Sequence, residues 1–432
     1  NNLPPAGSQE YPLFQPNISS SLYLYPTNRQ EIANLIMNLK VTQTNHQTMP
    51  VKLFTSLHDI LSDPISTLVN SCFKNAVFPS ILKYATITPI FKKGDPKNPT
   101  NYRPIAGLHY ISKIFEKVIY NRIISFCNET SLISDHQYGF LKGKSISDAI
   151  LHILDFIYNS LSSKHFNINI FIDLSKAFDT VNHKILLRKL YQYGIRGHPN
   201  DLIRSYLLNR SQAVKVPGAI SAPKVFNIGV PQGGILAPLL FLLYKNDLPN
   251  FCNTAQTVLF ADDTTLAFSS PSYNALVETV NSSLENLKKW ANFNRLTINA
   301  SKTKAIFCSN LTPPQPPPTP FSLDNTIITP CSKTTFLGVK LDNHLKFNVH
   351  IDSITNKLSK NAGILYKIKA CLPLNARLNY YYAFIYPYLS YNILNWGSAY
   401  QTHMLKLICI QKRIIRYISN SQPFAHTSPP VC

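Results

Sequence analysis

Residues 258–268 read VLFADDTTLAF and place two adjacent aspartates, Asp262 and Asp263, between two apolar runs. The β-branched and apolar residues on each side predict two strands joined by a tight turn, with both aspartates at the tip of a β-hairpin. Adjacent carboxylates repel each other and gain nothing from apolar surroundings. The pattern therefore predicts a divalent cation bound at this tip, with a merely solvated Asp-Asp turn as the alternative.

A second predicted strand also ends in a carboxylate. Residues 167–173 read NINIFID, so Asp173 follows an apolar run that is typical of a buried strand. A strand-end aspartate together with a hairpin aspartate suits nucleotidyl transfer, in which two cations about 3.5–4 Å apart assist attack and departure. Mg²⁺ typically takes one or two protein carboxylates and completes its shell with phosphate oxygens and water. We expect Asp173 and Asp262 as the principal ligands of Mg²⁺, or of Mn²⁺, with Asp263 beside them.

Seven sequence blocks, in this order along the chain, carry a resemblance to a known family. They are TPIFKKGDP (88–96), NYRPI (101–105), SKIFEK (112–117), FIDLSKAFD (171–179), GVPQG (229–233), FADD (260–263) and FLGV (336–339). With these blocks the chain resembles the reverse transcriptases of non-LTR (LINE-like, Jockey/CR1-type) retrotransposons. The resemblance covers about residues 80 to 345, and weaker similarity continues to the end.

The resemblance implies an α/β (α+β) right-hand polymerase with fingers, palm and a helical thumb. It divides the chain into an N-terminal linker and helical extension (1–79), fingers and palm (80–310), a proline-rich loop (311–320), a primer-grip hairpin (321–345), and a helical thumb with a tail (346–432). The implied reaction is extension of a DNA primer 3′-hydroxyl by deoxynucleoside triphosphates on an RNA template. The resemblance also implies a location in nucleus and cytoplasm.

Four residues are expected to bind the substrates. Lys92 and Arg103 supply cations for the incoming triphosphate, with a solvated basic turn as the alternative. By resemblance, Phe178 places a ring beneath the sugar and excludes a 2′-hydroxyl, with plain core packing as the alternative. Gln232 follows a glycine turn that lets the backbone approach the templating base pair, to which its amide can hydrogen-bond.

Other positions leave the interpretation open. Either Lys302 or Lys304 is expected to protonate the leaving pyrophosphate, or both are simply surface charges. Leu141, Gly234 and Ala237 stand where the family usually has arginine, serine and glycine. Leu141, together with the start of the chain at Asn1, keeps alive a rival hypothesis, in which the chain is a decayed or domesticated copy that binds RNA without chemistry. A group II intron maturase is a third alternative, but it requires a basic splicing domain for which the tail leaves little space.

The composition fits a nucleic-acid partner. Forty-two basic against twenty-one acidic residues give a formal net charge of +21, which is excessive for an enzyme acting on neutral ligands. The eight cysteines form no C-x-x-C pair, so neither a zinc knuckle nor a disulfide framework is predicted. No apolar run is long enough to cross a bilayer.

Three local predictions concern structure. A helix is predicted to begin at Thr27, with Gln30 completing a capping box, and residues 296–299 are predicted to form a strand. A further helix is predicted near the end, from apolar residues at helical spacing and lysines suited to a duplex backbone. Its apolar positions are Ile351, Ile354, Leu358, Ala362 and Leu365.

Two expectations concern the extent of the chain. It begins with Asn1 and not with methionine, which indicates a fragment or an excised domain. The residues before the fingers are too few for a nuclease domain, and the tail after Trp396 has no acidic residue. We therefore expect the chain as given to extend a supplied 3′-hydroxyl without creating one by nicking DNA.

Overall fold

The computed structural model describes residues 18–39, 50–311, 320–323 and 326–422. The first part of the predicted N-terminal linker, residues 41–47 and most of the proline-rich loop lie outside the described residues. Helices and strands are mixed, as an α/β protein requires. Within the described ranges, no helix is both long and apolar enough to cross a membrane.

The helices, in chain order, are α1 Arg29–Met37, α2 Val51–Ser56, α3 His58–Asn75, α4 Tyr110–Glu129, α5 Ile146–Ser162, α6 His183–Gln192, α7 His198–Leu207, α8 Leu236–Lys245, α9 Leu248–Phe251, α10 Tyr273–Phe293, α11 Asn348–Ile368, α12 Leu374–Phe384, α13 Tyr386–Ser390, α14 Ile393–Trp396 and α15 Gln401–Ser419. The strands are β1 Tyr84–Phe91, β2 Tyr102–Leu108, β3 Phe166–Ile172, β4 Arg210–Val216, β5 Ala219–Ile220, β6 Lys224–Phe226, β7 Gln256–Phe260, β8 Asp263–Ser270, β9 Lys304–Cys308, β10 Ser322–Leu323, β11 Thr326–Ile327, β12 Pro330–Cys331, β13 Lys333–Phe336 and β14 Val339–Asp342.

The chain forms two compact units. The first unit comprises Asn1–Phe140, Leu174–Asn253 and Glu285–Asn299. Its sheet has the order β2-β1-β4-β5, with β6 also paired to β4; β1 and β2 are antiparallel, whereas β1 and β4 are parallel. One face of the β1–β2 hairpin is apolar and buried, because Ala85, Ile87, Ala106 and Leu108 alternate onto it.

A buried ion pair lies among the helices of the first unit. Lys189 Nζ lies 2.8 Å from Asp247 Oδ1 and donates to the Tyr244 carbonyl at 2.6 Å. The indole N–H of Trp290 donates to the same carboxylate oxygen at 2.9 Å. Both members of the pair are almost fully buried, so each depends on the other for compensation of its charge.

The second unit comprises Leu141–Asp173, Thr254–Leu284 and Ala300–Cys432. Its sheet has the order β12-β9-β3-β8-β7, and β3 is antiparallel to both β8 and β9. The middle of β3 is buried, as its apolar run predicts. The strands β13 and β14 form a separate hairpin whose turn is Leu337-Gly338, and the Tyr391 hydroxyl donates to the Leu337 carbonyl at 2.7 Å.

The helix predicted near the end of the chain is confirmed as α11, in which all five predicted apolar residues are buried. The imidazole of His350 is also buried there: its Nδ1 accepts from the Lys340 backbone N–H at 3.2 Å, and its ring lies edge-on to Trp396. Burial lowers the pKa of His350 to about 4, and the nearby charges of Lys340 and Lys357 act in the same direction.

Two local predictions are wrong in detail. Helix α1 begins at Arg29, and its N-cap is Asn28, whose side chain accepts from the Glu31 N–H; the Thr27 hydroxyl instead donates to the Glu31 carboxylate. Asparagine is a strong N-cap residue and displaces the boundary by one position. Residues 296–299 form no strand, because only an isolated bridge joins Ile298 to Leu174.

Candidate active site

The carboxylates predicted to hold metal lie at one edge of the sheet in the second unit. β7 and β8 are joined by a two-residue turn, with Phe260 opposite Asp263. On the other side of β8, Ile172 is opposite Thr264, so Asp173 follows β3 at the level of Asp263. The register therefore brings Asp173 and the hairpin aspartates to the same end of adjacent antiparallel strands.

The hairpin tip is one residue earlier than the sequence predicts. The turn consists of Ala261 and Asp262, and Asp263 is the first residue of β8. Ala261 has φ 55°, in the left-handed region that glycine normally occupies at this position of a tight hairpin turn. Both aspartates are exposed while the strands behind them are buried, so a rigid support presents the carboxylates to solvent.

Either Lys302 or Lys304 is predicted from sequence to protonate pyrophosphate, and one of the two lies beside these carboxylates. Lys302 Nζ is 3.3 Å from Asp173 Oδ2, with exposed side-chain fractions of 60% and 37%. Lys304 is the exposed first residue of β9 and lies opposite Phe171. Of the two predicted lysines, Lys302 is thus the one with a recorded contact to an expected metal ligand.

The donor set suits a hard cation that is shared with substrate. Among the described residues, no three histidine, cysteine, aspartate or glutamate side chains form a ready-made metal centre. Mg²⁺ does not require one, because it usually binds one or two carboxylates and takes its other ligands from phosphates and water. The oxygens of Asp173 and Asp262, with Asp263 adjacent, fit that mode of binding.

Gln232 lies in a tightly packed turn of the first unit. Its side-chain amide donates to Asp179 Oδ1 at 2.7 Å, and its carbonyl accepts from the Ala106 N–H at 2.7 Å. Burial raises the pKa of Asp179, while the bond from Gln232 and the charge of Lys176 oppose that rise. Gly233 has φ 120°, and a Cβ there would lie 2.6 Å from the Ala106 carbonyl oxygen, so only glycine fits.

A cavity of about 280 Å³ opens beside this turn, between β2 and residues 226–232. Pro104, Ala106, Asp179 and Gln232 contribute to its walls. Gln232 can therefore face a small planar group while Asp179 holds its amide in a fixed orientation.

Phe178 is half-buried and stacks on Phe241, with ring centroids 4.6 Å apart and an angle of 26° between the rings. Its carbonyl accepts from the Val230 N–H at 2.9 Å, which ties it to the turn that carries Gln232. Packing against the core therefore fixes one side of the Phe178 ring, as the core-packing alternative predicts. The ring is nevertheless not fully buried.

Lys92 and Arg103 occupy the exposed end of the β1–β2 hairpin. Arg103 lies opposite Ile90, and the Lys92 N–H donates to the Asn101 carbonyl at 2.9 Å. Alternation puts both cations on the face opposite Pro104 and Ala106. The structure therefore brings Lys92 and Arg103 together, and separately joins Gln232 to Asp179, but it does not put the two pairs on one face of the hairpin.

Sequence reasoning assigned no role to Glu116, although this residue lies in one of the seven blocks. Its fully buried carboxylate accepts from the N–H groups of Ile235 (2.7 Å) and Leu236 (3.2 Å), at the start of α8. Burial raises the pKa of Glu116, and the nearby Arg210 and the two N–H donors oppose that rise. A Cβ on Gly234 would lie 2.8 Å from this carboxylate, so the glycine found in place of serine leaves room for the cap.

Residues 90–341 match the reverse transcriptase (RNA-dependent DNA polymerase) family, and the chain belongs to that family. The family is one of nucleotidyl-transferring enzymes.

Among curated proteins, the chain is similar to the probable RNA-directed DNA polymerase from transposon BS of Drosophila melanogaster, with 28% identity over 93% of this chain and 46% of the relative. The corresponding protein of transposon X-element is 29% identical over 84% of this chain and 40% of the relative. That of mobile element jockey is 28% identical over 94% and 45%. The predicted resemblance to non-LTR retrotransposon reverse transcriptases is confirmed, and the chain spans less than half the length of these relatives.

Proposed function

We propose that this chain is the polymerase segment of a non-LTR retrotransposon protein and copies RNA into DNA. The observation that supports this most directly is the β3–β8 register, which aligns Asp173 with the Asp262-Asp263 hairpin at one sheet edge. The family match and the relatives named above point to the same activity.

The architecture we propose is that of a right-hand polymerase. The sheet of the second unit serves as the palm, the β13–β14 hairpin grips the primer, and helices α11–α15 form the thumb. The β1–β2 hairpin of the first unit belongs to the fingers. The domain boundaries predicted from sequence remain our proposal, with the thumb beginning close to Asn348, the first residue of α11.

The proposed chemistry assigns a role to each side chain. Asp173 and Asp262, with Asp263 assisting, hold divalent cations, of which Mg²⁺ is the first candidate and Mn²⁺ the second. Such cations, when bound, activate a primer 3′-hydroxyl and stabilise the departing pyrophosphate. Lys302 neutralises Asp173 in the absence of substrate, since the two groups are 3.3 Å apart, and it is our candidate for the acid that protonates pyrophosphate.

The remaining residues act on the nucleotide and the template. Lys92 and Arg103 offset the negative charge of the triphosphate. Phe178, fixed against Phe241, excludes a ribose 2′-hydroxyl and so selects deoxynucleotides. Gln232, oriented by Asp179, hydrogen-bonds to the templating base pair.

The deciding experiment is primer extension by the purified protein, with an RNA template, an annealed DNA primer, deoxynucleoside triphosphates and either Mg²⁺ or Mn²⁺. We expect template-length DNA that disappears in Asp262→Asn and persists in Asp59→Asn, an identical chemical change at an exposed position of α3. RNA binding without extension under every metal condition would instead identify the rival, a copy that only binds RNA.

A further inference from the structure

A second cavity in the first unit has a chemistry that the proposed active site does not use. It has a volume of about 740 Å³ and lies between α6 and α7. We call it the α6–α7 groove and define it by six of its wall residues, which are His183, Lys184, Arg188, Tyr191, Gln192 and Arg204. Its polar wall residues are basic or neutral.

Lys184 and Arg188 are exposed and lie four residues apart on α6, so their like charges face the same side of the helix. In the part of the chain that the structure describes, neither forms an ion pair. Such a pair of like charges destabilises an isolated helix slightly. An anionic ligand in the groove would remove that cost.

The third cation, Arg204 on α7, lies 3.4 Å from the Asp201 carboxylate, and both side chains are more than half exposed. An exposed pair of this kind is weak and screened by solvent. Arg204 can therefore exchange this carboxylate for a phosphate, and the groove retains two fully available cations on α6.

The groove also contains an exposed aromatic ring, and a hydrogen bond links its wall to the turn that carries Gln232. Tyr191 is 57% exposed, and the Arg196 guanidinium lies 5.8 Å from the centroid of its ring, so an accessible ring that could stack with a base lies beside a further cation. His183, which is buried in the groove wall, donates from Nε2 to the Gly229 carbonyl at 2.7 Å. Gly229 begins the turn that carries Gln232, so the groove wall and the proposed template-reading turn are joined by a direct hydrogen bond.

From these observations we propose that the α6–α7 groove binds the unpaired part of the RNA template. Cations that track phosphates, combined with a ring for stacking, are the features with which proteins hold single strands. In the proposed reaction, the template ahead of the primer is the strand that remains unpaired, and this choice of RNA rests on the proposed function. Duplex with stacked bases would offer no base to Tyr191.

The first test measures the affinity of an unstructured, labelled RNA oligonucleotide by fluorescence anisotropy over a range of salt. Lys184→Gln/Arg188→Gln should weaken binding about tenfold or more and reduce the slope of log affinity against log salt by about 1.4. Tyr191→Ala should weaken it about tenfold through lost stacking. Lys52→Gln/Lys74→Gln removes two exposed charges of the same unit, from α2 and α3, and should have a smaller effect.

The second test locates the strand. A primer–template complex carries 4-thiouridine either in the unpaired template overhang or, as 4-thiothymidine, in the paired primer. Cross-links from the overhang should map to α6 and be lost in Lys184→Gln/Arg188→Gln, whereas cross-links from the primer should not map there. Cross-links to α6 from the primer alone, or equal affinity losses in the groove and control variants, would overturn the proposal.

Both tests are repeated with Asp262→Asn, so that binding is measured without catalysis. Template cross-linking to α6 by a parental protein that fails to extend primers with either Mg²⁺ or Mn²⁺ would refute the proposed polymerase activity but keep the groove. Normal extension by the parental protein, with no cross-link from the overhang to α6, would refute template binding in the α6–α7 groove and leave the proposed polymerase activity standing.

Discussion

Two sets of acidic residues, one in each unit, have opposite surroundings. In the second unit, Asp262 and Asp263 are exposed, and the half-exposed Asp173 pairs with an exposed lysine, Lys302. In the first unit, Asp247 is buried between an ammonium group and an indole N–H, and Glu116 is buried against a helix start. The buried carboxylates bond to groups that belong to the fold, whereas we propose that the exposed carboxylates at the strand edge hold the metal ions. Variants of the two groups should therefore separate activity from stability.

The largest effect is expected for the exposed group. Asp262→Asn or Asp173→Asn should lower the rate of primer extension by at least about a thousandfold, equivalent to about 4 kcal/mol of transition-state stabilisation. The free energy of unfolding should change by less than about 0.5 kcal/mol, as is usual for exposed positions, and RNA binding should be nearly intact. Extension by both variants at parental rates would remove these carboxylates from the mechanism.

The buried group should give the reverse result. Lys189→Met leaves the Asp247 carboxylate buried without its cation, which should lower the free energy of unfolding by about 3–5 kcal/mol in urea titrations. Lys52→Met, at an exposed lysine, is the control. The double variant Lys189→Met/Asp247→Leu should recover most of the loss, because no uncompensated charge remains. A single variant as stable as the control would show that the pair is not buried as described.

A buried imidazole extends the comparison to pH. The pKa of His350 is about 4 in the folded state against 6.5 for an unperturbed histidine. The unfolded chain therefore binds the proton first, and stability present above pH 6.5 is lost as the pH falls toward 4, by up to about 3 kcal/mol. His350→Phe should flatten the slope of unfolding free energy between pH 6.5 and 5, and His198→Phe, at an exposed histidine, should leave that slope unchanged.

The smallest effect concerns selectivity. Phe178→Ala should raise the ratio of ribonucleotide to deoxynucleotide incorporation about tenfold, equivalent to about 1.4 kcal/mol, while extension with deoxynucleotides declines only moderately. Phe178→Tyr keeps the ring on Phe241 and should keep the parental ratio. The same ratio in all three proteins would mean that Phe178 is only core packing.

Features set by local sequence could be predicted. The hairpin around Asp262 follows from two apolar and β-branched runs separated by a turn, and α11 follows from helical spacing. Where two neighbouring residues could both cap a helix or both form a turn, the predicted position was wrong by one residue. Asn28 and not Thr27 caps α1, and the hairpin turn takes Ala261 with Asp262 and leaves Asp263 in the strand.

Contacts between distant residues could not be predicted in this way. Lys302 lies 129 positions from Asp173, and Glu116 lies 119 positions from Ile235. Spacing and propensity are local signals, so they cannot say which of two lysines reaches a carboxylate or which glutamate caps a helix. Glu116 could have been singled out because helical spacing puts it on the same face of α4 as Ile119 and Ile123, where an ionisable residue is buried only when it is hydrogen-bonded.

The left-handed backbone of Ala261 has a consequence for directed evolution. A non-glycine residue in this conformation costs about 1 kcal/mol relative to glycine. A library randomised at position 261 and screened for heat resistance should therefore enrich glycine. A library screened for the yield of complementary DNA is expected to disfavour glycine, because glycine would make the backbone beside Asp262 more flexible. The two screens are expected to diverge at this codon, and the degree of divergence would measure how strictly catalysis requires a fixed carboxylate.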